Sequence, residues 1–180
     1  MKNTAFLMLG LLSLATTFAQ DKVLTKTGKV TFEASVPSFE EVKANHKAVT
    51  CILNTKTGEI ASLILVKGFQ FKVALMEEHF NENYIESDKF PKATFKGKIE
   101  NFDWDKITAQ PQDYTIKGKI ELHGKSKDVV LASKIKKSGN GIEITSSFTL
   151  NPEDFDIQIP SLVRAKVAKN VAVRLDFILL

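Results

Sequence analysis

Tyr114-Thr115-Ile116-Lys117-Gly118-Lys119-Ile120-Glu121-Leu122 changes character at every residue. Tyr114, Ile116, Gly118, Ile120 and Leu122 fall on one side of an extended chain, and Thr115, Lys117, Lys119 and Glu121 on the other. Successive side chains of a strand point to opposite faces, so this period of two reads as a β-strand with one dry face and one wet face. The pattern recurs in both directions. Upstream, Ala93, Phe95, Gly97 and Ile99 alternate with Thr94, Lys96, Lys98 and Glu100, and Val30, Phe32, Ala34 and Val36 with Lys29, Thr31, Glu33 and Ser35. Downstream, Ile142, Ile144, Ser146, Phe148 and Leu150 form one dry face, and Val171, Val173, Leu175, Phe177 and Leu179 another. Less regular strands are expected over 42–54, 59–72 and 128–136.

Thr57-Gly58, His123-Gly124 and Ser138-Gly139-Asn140-Gly141 supply turns between these runs. Several connections are short enough for hairpins, which makes antiparallel neighbours the economical arrangement. The expectation is an all-β domain of about eight strands, closed as an antiparallel barrel so that no edge is left bare. A two-sheet sandwich has the same alternation and stays open as the alternative. One amphipathic helix is expected over 72–84, where Val73, Met76, Phe80 and Tyr84 recur at helical spacing and Pro91 bars continuation. The loop over 151–168 has room for a short helix, limited by Pro152 and Pro160.

The wet faces exclude an outer-membrane barrel. Such a barrel carries an apolar band outside, and Lys96, Lys98, Lys117 and Lys119 would sit in it at about 2–4 kcal/mol each near the midplane. The dry faces therefore point inward, and the chain does not span a membrane. Residues 1–20 read as a signal peptide rather than part of the fold. Met1-Lys2-Asn3 gives a positive start, 5–15 is apolar but too short to cross a bilayer, and Thr17-Phe18-Ala19 offers small residues for cleavage after Ala19 or Gln20. That leaves 21–180 as a single barrel domain, periplasmic or secreted. Lys and Arg number 25 against 21 Asp and Glu, with the signs interleaved. No basic stripe of the kind nucleic acid requires is present. Cys51 is the only cysteine, so no intrachain disulfide forms, and a buried place in the core is expected for it.

Gly97 and Gly118 sit in the middle of dry faces. A strand glycine leaves nothing to pack, and an eight-stranded barrel is just wide enough either to fill with side chains or to hold one small ligand. One reading is an elongated apolar tunnel lined by Phe32, Phe95, Gly97, Tyr114, Ile116, Gly118, Phe148 and Leu175, with Phe69, Phe71, Met76, Phe80 and Phe155 nearer its mouth. The other is that the glycines mark strand coiling and that aromatics fill the gap. His46, His79 and His123 lack metal-ligand spacing, and no nucleophile elbow, phosphate loop or dinucleotide fingerprint is present. The leading expectation is a non-enzymatic binder of an amphiphilic lipid or isoprenoid, with no other cofactor, no metal and no catalytic residue. Two alternatives stay open: a hydrolase or metal-dependent enzyme using clustered histidines, and a filled-barrel scaffold. A homodimer is compatible with each.

Three blocks carry a family resemblance. Met76-Glu77-Glu78-His79-Phe80 continues through Tyr84-Ile85-Glu86-Ser87-Asp88-Lys89-Phe90-Pro91-Lys92-Ala93-Thr94-Phe95; Gly118 to Leu131 holds a strand–His123-Gly124–strand hairpin; and Phe148-Thr149-Leu150-Asn151-Pro152-Glu153-Asp154-Phe155 follows near the end. In order and spacing they resemble the YceI-like family of exported proteins with a lipocalin-like barrel. The resemblance implies an eight-stranded barrel holding a polyisoprenoid, quinone-like or fatty-acid-like amphiphile, in the periplasm. Two positions depart from the family pattern: Thr27-Gly28-Lys29 replaces a polar, His-containing opening before the first strand, and Asp156 stands where glycine is usual. The resemblance therefore carries over the tunnel and no particular polar contact.

Overall fold

The computed structural model describes residues 21–180, and the expected signal peptide lies outside them. Eight long strands form the wall: β1 (Lys22–Ser35), β2 (Lys43–Asn54), β3 (Glu59–Leu65), β5 (Lys92–Ile99), β6 (Gln112–Leu122), β7 (Lys125–Ser138), β8 (Gly141–Leu150) and β9 (Val167–Leu179), while the two-residue β4 (Gln70–Phe71) lies inside a long connection. The hydrogen-bonded order is β1-β9-β8-β7-β6-β5-β3-β2, and β2 pairs again with β1. The ring is closed, which decides for the barrel over the sandwich. Every pairing is antiparallel. Charged residues occupy the outer face, where Lys117 pairs with Glu100 at 2.6 Å and Lys134 with Asp113 at 2.7 Å. No helix among the described residues is long and apolar enough to cross a membrane.

Three local expectations are corrected. β1 begins at Lys22, so Thr27-Gly28-Lys29 lies within the strand rather than before it. The register against β2 slips on either side of Gly28, which leaves Lys26 and Thr27 both exposed and hides the period of two. The segment 59–72 is not one strand. β3 stops at Leu65, a 3₁₀ turn follows at Val66–Gly68, and β4 then pairs with β2. Gly68 is pressed against the His46 imidazole, so a side chain there would displace the ring. The loop 151–168 holds two 3₁₀ turns, Pro152–Phe155 and Arg164–Lys166. The expected helix is present as α1 (Ala74–His79), continued by a π-turn over Phe80–Tyr84 that the Ile85 N–H closes on the Phe80 carbonyl at 2.9 Å.

Strand direction sorts the connections between two ends. Short links at 55–58 and 139–140, together with 100–111, close one end. Leu53, Ile99, Ile135, Ile142 and Leu179 are completely buried there. The links 36–42, 66–91, 123–124 and 151–166 gather at the other end. This is where the wall loosens. The β7–β8 ladder runs from Ser138↔Gly141 only as far as Ser133↔Ser146. Beyond it the Ser146 hydroxyl donates to the Ala132 carbonyl at 2.6 Å. The Pro152–Phe155 turn is tied against the start of β7 by Lys127–Asp154 and by Lys125–Asp156 at 2.8 Å.

Candidate functional site

Between the packed end and the loop-bearing end lies an apolar cavity of about 530 Å³. Phe32, Phe69, Phe71, Met76, Phe80, Phe95, Ile116, Phe148, Phe155 and Leu175 all stand on its wall. Phe32 on β1, Phe69 just before β4, Phe71 in β4, and Phe80 just after α1 form one aromatic cluster with ring centroids 5.1–5.9 Å apart. Three of the five ring pairs meet edge to face and two are tilted, and edge-to-face packing adds about 0.5–1.5 kcal/mol per pair beyond area burial. The cluster fastens the 66–91 excursion over the barrel mouth.

Gly97, Gly118 and Tyr114 are not on the cavity wall. Gly97 and Gly118 face each other directly across β5 and β6. The Phe95 ring covers both: a Cβ on Gly97 would stand 2.6 Å from Phe95 Cζ, and one on Gly118 2.7 Å from Phe95 Cε2. The glycines therefore seat an aromatic ring instead of leaving a void, a known way of filling strand glycines. Tyr114 is half-buried near the packed end, against the core. Other dry-face residues complete the wall, among them Ala34, Ile64, Ala93, Leu131, Leu150 and Val173. Ala34, Ala93, Leu150 and Val173 belong to dry faces that the alternation marks, whereas Ile64 and Leu131 have apolar neighbours on both sides and carry no such signal.

Polar groups on the wall are few. Glu40, His79 and Lys166 stand at the mouth, each from a different connection. Deeper, Ser133 is 4 % exposed and its hydroxyl has no hydrogen-bond partner. Cys51 also lines the cavity, and burial pushes its thiol up to about 12, which keeps it protonated and a poor nucleophile.

The three histidines are separate. His46 is buried; its Nε2–H donates to the Leu65 carbonyl at 3.0 Å and its Nδ1 accepts the Ala48 N–H at 3.1 Å, so one tautomer serves both partners. It fixes the end of β3. His123 holds two mouth connections together. Its Nδ1–H donates to the Phe155 carbonyl at 2.9 Å, its Nε2 lies 3.2 Å from a Glu86 carboxylate oxygen, and the Phe90 ring packs against it at 4.4 Å. The Lys89 ammonium first, and His123 second, hold the Glu86 carboxyl below the usual carboxylate range. His79 is exposed on α1. Among the described residues no three His, Cys, Asp or Glu side chains gather as a metal ion would require.

A family model described as a YceI-like domain matches residues 18–179. No curated protein matches. Among solved structures, a polyisoprenoid-binding domain from Saccharophagus degradans implicated in plant cell wall breakdown superposes with a TM-score of 0.75 at 12 % identity, covering 88 % of this chain and 97 % of that one. BcnA of Burkholderia cenocepacia gives 0.69 at 16 % identity over 85 % and 96 %. A Campylobacter jejuni YceI protein gives 0.59 at 16 % identity over 79 % and 88 %. At such identities the likeness is one of fold.

Proposed function

The chain belongs to the YceI-like family, and from that premise we propose that it holds the apolar tail of an amphiphile inside its barrel, as a carrier or sequestering protein and not as a catalyst. The observation that carries this reading is the cavity itself: about 530 Å³, walled by aliphatic and aromatic side chains, with charged groups confined to the mouth. Such a space selects for a long hydrocarbon chain with a polar end left near Glu40, His79 and Lys166. Burying a chain supplies about 0.8 kcal/mol per methylene before the cost of ordering it, so a long tail is retained without special chemistry. The likeness to a polyisoprenoid-binding domain supports an isoprenoid, quinone-like or fatty-acid-like ligand. The signal-like residues 1–20 support export to the periplasm or beyond.

The test is native mass spectrometry of protein purified from its own host, before and after delipidation. A discrete extra mass that disappears on delipidation is expected, and its value gives the ligand class. A bare polypeptide under gentle conditions would overturn the carrier reading. The same spectrum reports processing: a mature chain starting at Gln20 or Asp21 agrees with export, and an intact Met1 does not.

A further inference from the structure

One stretch of the mouth differs in charge from the rest. Ile157 to Lys169 contains Arg164, Lys166 and Lys169 and no acidic residue. Across the ring, the excursion between β3 and β5 carries Glu77, Glu78 and Glu82. Lys125 and Lys127 are neutralised by Asp156 and Asp154, but Arg164, Lys166 and Lys169 are exposed without a carboxylate partner among the described residues. The Arg164 guanidinium instead donates to the Ile159 carbonyl at 3.3 Å, which closes the intervening loop. At the tip of that loop Leu162 is 87 % exposed, the most exposed large apolar side chain of the described residues. On its inner side the same stretch contributes Ile157, Ile159, Val163 and Val167 to the cavity wall.

We propose that the 157–169 stretch, the connection into β9 with the first residues of that strand, docks the barrel mouth on a membrane bearing anionic headgroups, so that an amphiphile's tail passes between bilayer and cavity along Ile159 and Val163. The proposal rests on the tail-holding reading and adds where the exchange takes place. An exposed leucine flanked by unpaired cations matches the chemistry of an anionic interface: the apolar group enters the acyl boundary and the cations meet lipid phosphates. Each cation near a strongly anionic surface is worth about fivefold in partitioning. So few inserted apolar side chains keep the association reversible, which a carrier requires. Phe39 and Leu75 are exposed on two other mouth connections, and apolar side chains spread over three connections suit a lipid interface better than the single contiguous patch that a protein partner calls for.

The experiment is flotation of the delipidated protein with vesicles of phosphatidylcholine alone or of phosphatidylcholine mixed with phosphatidylglycerol. Association is expected only with the anionic vesicles, with a fall as salt rises. Leu162→Ser and Lys169→Glu, neither on the cavity wall, are each expected to weaken association severalfold while leaving lipid retention unchanged by native mass spectrometry. Leu180→Ser, at the packed end, is expected to change nothing. Equal binding to both vesicle types, or loss of binding in Leu180→Ser but not in Leu162→Ser, overturns the docking surface. Retained lipid without vesicle association also overturns it and leaves the carrier reading standing. Vesicle association through Leu162 by a barrel that never retains a lipid supports the docking and overturns the carrier reading.

Discussion

Phe95 lies across Gly97 and Gly118, and the three residues act as one unit. Any side chain on Gly118 meets the ring and the Lys96 carbonyl. Gly118→Val is therefore expected to destabilise the barrel by about 1–3 kcal/mol through overpacking, measured by urea unfolding. Asp156 offers the opposite case. It sits in the left-handed region with φ +56, where a Cβ is unfavourable and glycine is at ease. Its exposed ion pair with Lys125 contributes little. Asp156→Gly is expected to raise stability by up to about 1 kcal/mol in a thermal melt. The two positions show how far a glycine can be read from sequence. Gly97 and Gly118 were visible as gaps in a dry face, but the ring that fills them was two residues away and its rotamer was not.

The mouth connections depend on one another more than on their own propensities. His123 and Gly124 both take positive φ, the requirement of a tight two-residue hairpin, and this sends the imidazole towards Glu86 and Phe155. The Glu86 carboxyl is held below its ordinary range by Lys89 and then by His123, so its folded value lies below its unfolded one. Its contribution is present above the unfolded value and lost as pH falls through the folded one. Amide protection at 86–90 and 151–157 is expected to fall as pH drops below the ordinary carboxylate range, where Glu86 takes up its proton. Glu86→Gln should remove that step; a step of the same size in the variant would show that the tether is not what titrates. The sequence placed the hairpin through its His-Gly turn and α1 through its apolar spacing. It placed neither contact, because residues 86, 123 and 155 meet only once the barrel closes.

For the whole molecule the governing fact is a packed end and a hollow end in one barrel. The hollow end gives up core packing, so a bound tail should supply what the side chains do not. Free ligand at about 100 times its Kd adds about 2.7 kcal/mol to folding. The delipidated barrel is therefore expected to melt at progressively higher temperature as a long-chain fatty acid is titrated in. In Ala93→Trp, which fills the wall near the mouth, the unliganded melt should stay close to wild type while the rise shrinks. A rise of the same size in the variant would place the ligand outside the cavity.

Composition and the period of two determined, without coordinates, that this is an all-β domain with charged faces outward and apolar faces inward, and that one helix interrupts it. Those properties are local: each is set by which side chains alternate along a single strand or turn. The tertiary structure decided that the ring closes, that β1 starts seven residues before its regular alternation and β3 stops early, that Phe95 fills the glycine gap, and that the empty space lies towards the mouth. Closure needs β1 to meet both β2 and β9, and a cavity is the volume that side chains from eight strands fail to fill. Both are properties of long-range pairing and summed volume, which no single stretch of sequence contains.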